Sequence, residues 1–149
     1  MYDKILVPLD GSRRAEAILS HVEELARRCE ARVVLMQVVE PAPVVVGPEG
    51  AHMKLYRQDL EEREKRAKSY LTALSGEFRE KGIAAQTRVV YGPVVEAIIE
   101  IAQREDVQLI AIASHGRTGL SQVFYGSVAA GVLHRAERPL LVVRSRESE

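Results

Sequence analysis

Six residues that could do chemistry stand close together: Ser114, His115, Gly116, Arg117, Gly126 and Ser127. They follow an apolar run, Val107 to Ile112, with the length and bulk of a buried parallel strand. They precede a helical pattern of Val128, Ala129, Val132, Leu133 and Ala136. Strand, glycine-bearing loop and helix start together present backbone N–H groups and the positive end of a helix dipole to an anion. Gly116 and Gly126 have no Cβ, so the backbone there can approach a ligand closely or turn through positive φ. Ser127 adds a hydroxyl for a phosphate oxygen, and Arg117 a charge to neutralise it. The chemistry on offer is phosphate binding. The same glycines and serine also suit the plain turn that any strand-to-helix connection needs, and Arg117 also suits an exposed surface. Neither G-x-G-x-x-G nor G-x-x-x-x-G-K-[ST] occurs in the chain.

His115 is a candidate general acid or base, since histidine is the side chain type whose ordinary range lies near neutrality. No Ser, Cys or carboxylate stands at a spacing that marks a catalytic triad, so it reads as a structural or hydrogen-bonding side chain. His21, His52 and His134 are scattered, with no H-E-x-x-H and no Cys/His cluster, and no dedicated metal site is expected. Cys29 is the single cysteine, which excludes an intrachain disulfide and points to a reducing compartment. Its helical spacing puts the thiol on an apolar face.

These residues need a scaffold, and 149 residues suffice for one domain with a full core. Lys plus Arg and Asp plus Glu both number 21, so no basic excess argues for nucleic acid. Trp is absent and aromatics make up 5%, too few for a base-stacking platform. No apolar stretch approaches the ~20 residues of a membrane span. Met1-Tyr2-Asp3-Lys4 leads straight into a strand instead of a signal peptide, and the expected location is cytoplasmic.

Along the chain, Lys4 to Leu9 reads as a strand closed by Asp10-Gly11-Ser12, a turn with N-cap chemistry. A helix follows on the stripe Ala15, Ile18, Leu19, Val22, Leu25, Ala26 and Cys29. Ala31 to Val39 is a second strand, and Glu40 to His52 a proline- and glycine-rich loop whose length suits a lid or partner role. Val44, Val45 and Val46 fit packing over a ligand or simple anchoring of that loop. A long charged helix is expected from Lys54 to about Lys81, capped by Gly82, with Ala67, Leu71, Leu74 and Phe78 as its apolar stripe. Its charge run, Asp59 to Arg66, reads as a solvated face. Ala84 to Val90 is a third strand, and Gly92-Pro93 opens a helix with proline in the first turn. Leu140 to Val143 is the last strand. Five strands alternating with helices predict an open, mostly parallel α/β sheet covered on both faces. In such sheets ligands bind beyond the carboxyl ends of the strands, where strand order reverses. The first and fourth strands, ending at Asp10 and Ala113, would flank that crevice. Asp10 alone also suits a cap or turn carboxylate.

The spacing Ala113-Ser114-His115-Gly116, nine residues, then Gly126-Ser127 resembles the G-x-x-G, nine, G-[ST] pattern of the universal stress protein family. The resemblance runs from Lys4-Ile5-Leu6-Val7-Pro8-Leu9-Asp10-Gly11-Ser12 to Pro139-Leu140-Leu141-Val142-Val143, nearly the whole chain. Ala113 departs from it, standing where the pattern has its first glycine. The resemblance implies a Rossmann-like, adenine nucleotide alpha hydrolase-like sheet of five parallel strands in the order 3-2-1-4-5. It implies that Pro8 and Leu9 flank an adenine, that the Val38 backbone reads the adenine edge, and that Asp10 meets the ribose or a metal-phosphate group. The phosphates of ATP or a related nucleotide would lie on Gly116, Gly126, Ser127 and Val128, with Ala113, His115 and Arg117 beside them. Mg²⁺ or Mn²⁺ would arrive on those phosphates. The family resemblance also implies a homodimer through the C-terminal strand. The expected function is ATP binding in a stress-response or switch role. Two alternatives stand beside it: a dimeric interaction module that binds no nucleotide, favoured by Ala113, and a slow ATPase or phosphotransferase, opposed by the missing catalytic base.

Overall fold

The computed structural model describes residues 1–41, 50–115 and 126–145. The expected loop valines Val44, Val45 and Val46, and the expected site residues Gly116 and Arg117, lie outside the described residues, as does the side chain of His115.

Five strands form one parallel sheet: β1 (Lys4–Leu9), β2 (Arg32–Val39), β3 (Ala85–Tyr91), β4 (Leu109–His115) and β5 (Leu140–Ser145). The sheet is parallel, as the alternation predicts, and its order is β3-β2-β1-β4-β5, as the resemblance implies. The helices are α1 (Leu19–Cys29), α2 (Gly50–Glu80), α3 (Val94–Arg104) and α4 (Ser127–Arg135), with a 3-10 turn at Ala15–Ile18 before α1. Strand β1 pairs β2 from Lys4↔Arg32 to Leu9↔Gln37, and β4 on its other side through Ile5↔Leu109 and Leu6↔Ile110.

The period-two pleat sends alternate residues to two separate cores. Ile5, Val7, Val33 and Leu35 meet Ile18, Val22, Leu71, Leu74 and Phe78 under α1 and α2. Leu6, Val34, Met36 and Ile110 meet Ile98, Ile101, Ala102 and Val132 under α3 and α4. This double burial is why the inner strands read as continuous apolar runs. Cys29 is half-buried against the first core.

Several boundaries differ from the sequence reading. Helix α2 begins at Gly50, not Lys54. It ends at Glu80, close to the expected Lys81, and Gly82 follows in the expected capping place with φ +79°; the Ile83 N–H donates to the Phe78 carbonyl and the Gly82 N–H to the Arg79 carbonyl. Pro93 is the N-cap of α3 with extended ψ of 136°, not a first-turn residue, so the helix starts one residue later. Strand β4 starts at Leu109 and not Val107, since the Val107 N–H still closes the end of α3 on the Ala102 carbonyl at 3.1 Å. It runs on to His115, beyond Ala113. Among the described residues no helix is long and apolar enough to cross a membrane.

The close approach of α4 to α3 depends on Gly131. A Cβ there would lie 2.7 Å from Val95 Cγ2 and 3.3 Å from Cγ1. A β-branched side chain in a helix cannot swing both methyls away. Gly131→Ala therefore gains about 1 kcal/mol of helix propensity but meets an overpacking cost of about 1–3 kcal/mol. The expected net is a loss of roughly 1 kcal/mol in urea denaturation, reversed in the Gly131→Ala, Val95→Ala double variant. A single variant more stable than wild type would show that α4 yields freely.

Candidate functional site

The carboxyl ends of β1, β2 and β4 open onto one cleft of about 370 Å³, at the point where strand order reverses between β1 and β4. That volume is within the usual range for small-molecule sites, about 300–1,000 Å³. Pro8, Leu9 and Asp10 come from β1 and its turn, Val38 from β2, Ala113 from β4, and Gly126 and Val128 from the start of α4. Seven residues singled out in the sequence thus border a single cavity. Ser127 faces the adjoining hollow between α3 and α4, together with Val128. His115 closes β4 opposite Ser145, and only its backbone is described.

Each wall has a local cause. The Asp10 carboxylate accepts the Ser12 N–H at 2.8 Å, an Asx turn, and Ser12 Oγ accepts the Ala15 N–H at 3.2 Å. Asp10 therefore holds the turn that ends β1 as well as bordering the cleft. Gly126 is the N-cap of α4 at φ +39° and ψ 147°, a conformation suited to glycine. Its carbonyl accepts the Ala130 N–H at 3.0 Å. The N–H groups of the first helical turn have no partners within the helix and carry its positive dipole end. Ala113 belongs to the core under α1 and α2 and is only 8% exposed where it borders the cleft.

Met36, Val94, Ile98, Ile112 and Ala129 give the cleft an apolar lining. The cavity brings together an apolar lining, the Asp10 carboxylate and the N-terminus of α4.

The sequence reading missed two polar side chains at this site. Gln37 borders the cleft from β2, and its Oε1 is buried without a hydrogen-bond partner. Arg63, placed by the sequence on a solvated face, turns inward; its Nη1 donates to the Glu40 carbonyl at 2.8 Å and the side chain borders the cleft. The signal was present, because Arg63 lies one turn before Ala67 in the buried stripe of α2. Its neighbour Glu64 accepts the Tyr91 hydroxyl at 2.7 Å. That bond raises Tyr91 to about 12 and lowers Glu64, which also meets Lys68. Among the described residues no group of three or more His, Cys, Asp or Glu side chains is placed to hold a metal ion.

With the geometry in place, comparison with known proteins is informative. A universal stress protein of Methanocaldococcus jannaschii is 30% identical over 159 residues, covering 99% of this chain and 98% of the relative. Its solved structure superposes with a TM-score of 0.84 over 99% of each chain at 30% identity. A universal stress protein from Archaeoglobus fulgidus, solved in complex with dAMP, gives a TM-score of 0.67 at 22% identity, covering 95% of this chain and 97% of that one. Another universal stress protein, solved in complex with cAMP, gives 0.61 at 21% identity, covering 97% and 98%. At those two identities the likeness is one of fold. The family model described as universal stress protein family matches residues 1–144, and with a whole-length relative at 30% identity the chain belongs to that family.

Proposed function

We propose that the cleft binds an adenine nucleotide, with ATP as the expected ligand, and that binding serves a stress-response switch in the cytoplasm. The observation that carries this reading is the meeting of an apolar lining with the Gly126-led start of α4 in one cavity. The base would lie between the aliphatic walls, its edge on the Val38 backbone and its faces beside Pro8 and Leu9. Asp10 would accept from the ribose hydroxyls. Phosphates would meet the N–H groups of Ser127 and Val128, which have no partner within the helix and where the helix dipole favours negative charge. Gly116, Arg117 and His115 are proposed partners of the same phosphates from the other end of the loop. Mg²⁺ or Mn²⁺ would be held chiefly by the phosphates themselves. The methyl of Ala113 belongs to the core on the α1 and α2 side, which fits a backbone that still allows the ligand to approach. That family members of this fold were solved with dAMP and cAMP supports the ligand class.

Denaturing the purified protein and chromatographing what it releases tests the reading directly. An adenine nucleotide at a substantial fraction of one per chain is the expected result. A protein that releases none, and takes up neither ATP nor AMP in titration calorimetry, fits the dimeric interaction module instead.

Binding without rapid turnover is the second part of the proposal. Phosphoryl transfer needs positioned cations and an oriented nucleophile. Hydrolysis is therefore expected well below the ~1 per second of ordinary enzymes. A steady rate at or above that figure, surviving repurification and lost in Ser127→Ala, would make the protein an enzyme.

A further inference from the structure

Among the described residues, Arg63 is the only cationic side chain that borders the cleft. With Asp10 and Gln37 it also lines a neighbouring hollow beside α2. We propose, on the reading of the cleft as a nucleotide site, that Arg63 holds the base, its flat guanidinium lying on a face of the heterocycle.

The setting of this side chain is not that of an ordinary helix surface. Two helical arginines, Arg28 and Arg104, pair with the glutamate one turn before them. Arg63 has Asp59 in that position, but its Nη1 donates instead to the Glu40 carbonyl at 2.8 Å. The side chain is half-buried. That bond uses one of five N–H donors, and it pins the guanidinium at the cavity wall.

Strand order decides which part of the ligand Arg63 meets. Glu40 directly follows β2, the strand whose Val38 backbone is proposed to read the base edge. The proposed phosphate turn opens α4, which follows β4. Strands β2 and β4 flank β1 on opposite sides, so roughly 10 Å of sheet separates them. Arg63 therefore stands at the base end. A planar cation there is attracted to the π face of a purine, and a guanidinium stacks on such a face where an ammonium cannot.

Titration calorimetry with adenosine and ATP on the whole chain tests this role. Arg63→Met, of similar length but neutral, is expected to weaken both ligands by the same factor, about fivefold. Arg63→Lys keeps the charge and a donor for the Glu40 carbonyl but has no plane, and is expected to fall between. Arg66→Met, at an exposed position three residues on, is expected to change neither ligand. Thermal melting of each unliganded variant checks the fold. Four results would each overturn the role: a loss for ATP with adenosine unchanged, which would put Arg63 on the phosphates; no loss for either ligand in Arg63→Met; an Arg63→Lys protein that binds like wild type, which would make the side chain a strut for Glu40; or wild-type protein that binds ATP but no millimolar adenosine. Wild-type protein that binds neither ligand would remove the nucleotide reading itself, and this role with it.

Discussion

Gly126→Val is expected to weaken ATP about a hundredfold while moving adenosine by about threefold or less, because only ATP reaches the turn that Gly126 shapes. At φ +39° an L-residue is strained, and a β-branched one most of all. The strain is about 1–3 kcal/mol, so the chain at 126 is expected to take another path and re-aim the first N–H groups of α4. Each charge-assisted bond to phosphate lost in that way is worth about 1.5–3 kcal/mol, and one or two such losses amount to a factor near a hundred. Gly126→Ala, strained but unbranched, is expected to fall between. Titration calorimetry with ATP and adenosine reads the difference, and circular dichroism checks that α4 still forms. Equal losses for the two ligands would place the phosphates away from this turn.

The architecture was legible because every element carries its period. Val33, Val34, Leu35 and Met36 in succession announce a strand buried on both faces, and Ala67, Leu71, Leu74 and Phe78 announce one helix stripe. The site was legible where chain direction alone decides it. Strands that end at Leu9 and beyond Ala113 must deliver Asp10 and Ala113 to the same edge of a parallel sheet, and Gly126 must stand at that edge to open α4; Val38 was indicated by the family resemblance alone. Arg63 and Gln37 were hidden for a different reason. Whether a charged residue on a long helix meets solvent or a cavity depends on where the helix axis crosses the sheet edge, a tertiary fact. Gln37 sits in a run of apolar strand residues, and nothing local says that its amide borders two cavities. Start points failed where capping was ambiguous, as at Gly50 and Pro93, since both residues serve loops and helix starts equally well.

Val142→Asp is expected to convert a homodimer, which we propose forms through β5, into a folded monomer or a poorly soluble protein. Strand β5 lies at the edge of the sheet and, among the described residues, pairs only β4, with Val142 opposite Ile112. Leu140, Leu141, Val142 and Val143 are each only half-buried within the chain, and none is charged, glycine or proline. An open apolar edge of that kind invites pairing with another chain. The opposite edge differs. Strand β3 carries Gln86, Thr87 and Arg88, and Arg88 is held by the Glu105 carboxylate at 2.7 Å, so that edge is polar and charged. The asymmetry singles out β5, and a two-fold axis lets one strand satisfy both copies at once. A carboxylate buried at such a seam without a partner costs several kcal/mol, about 3 or more in practice, which is at least a hundredfold in dimer affinity. Light scattering during gel filtration at micromolar protein reads the mass, with circular dichroism confirming the fold. Wild-type protein that elutes as a monomer, or a Val142→Asp protein that stays dimeric, would move the interface to another surface; Arg88→Ala, at the guarded edge, is expected to leave the dimer intact.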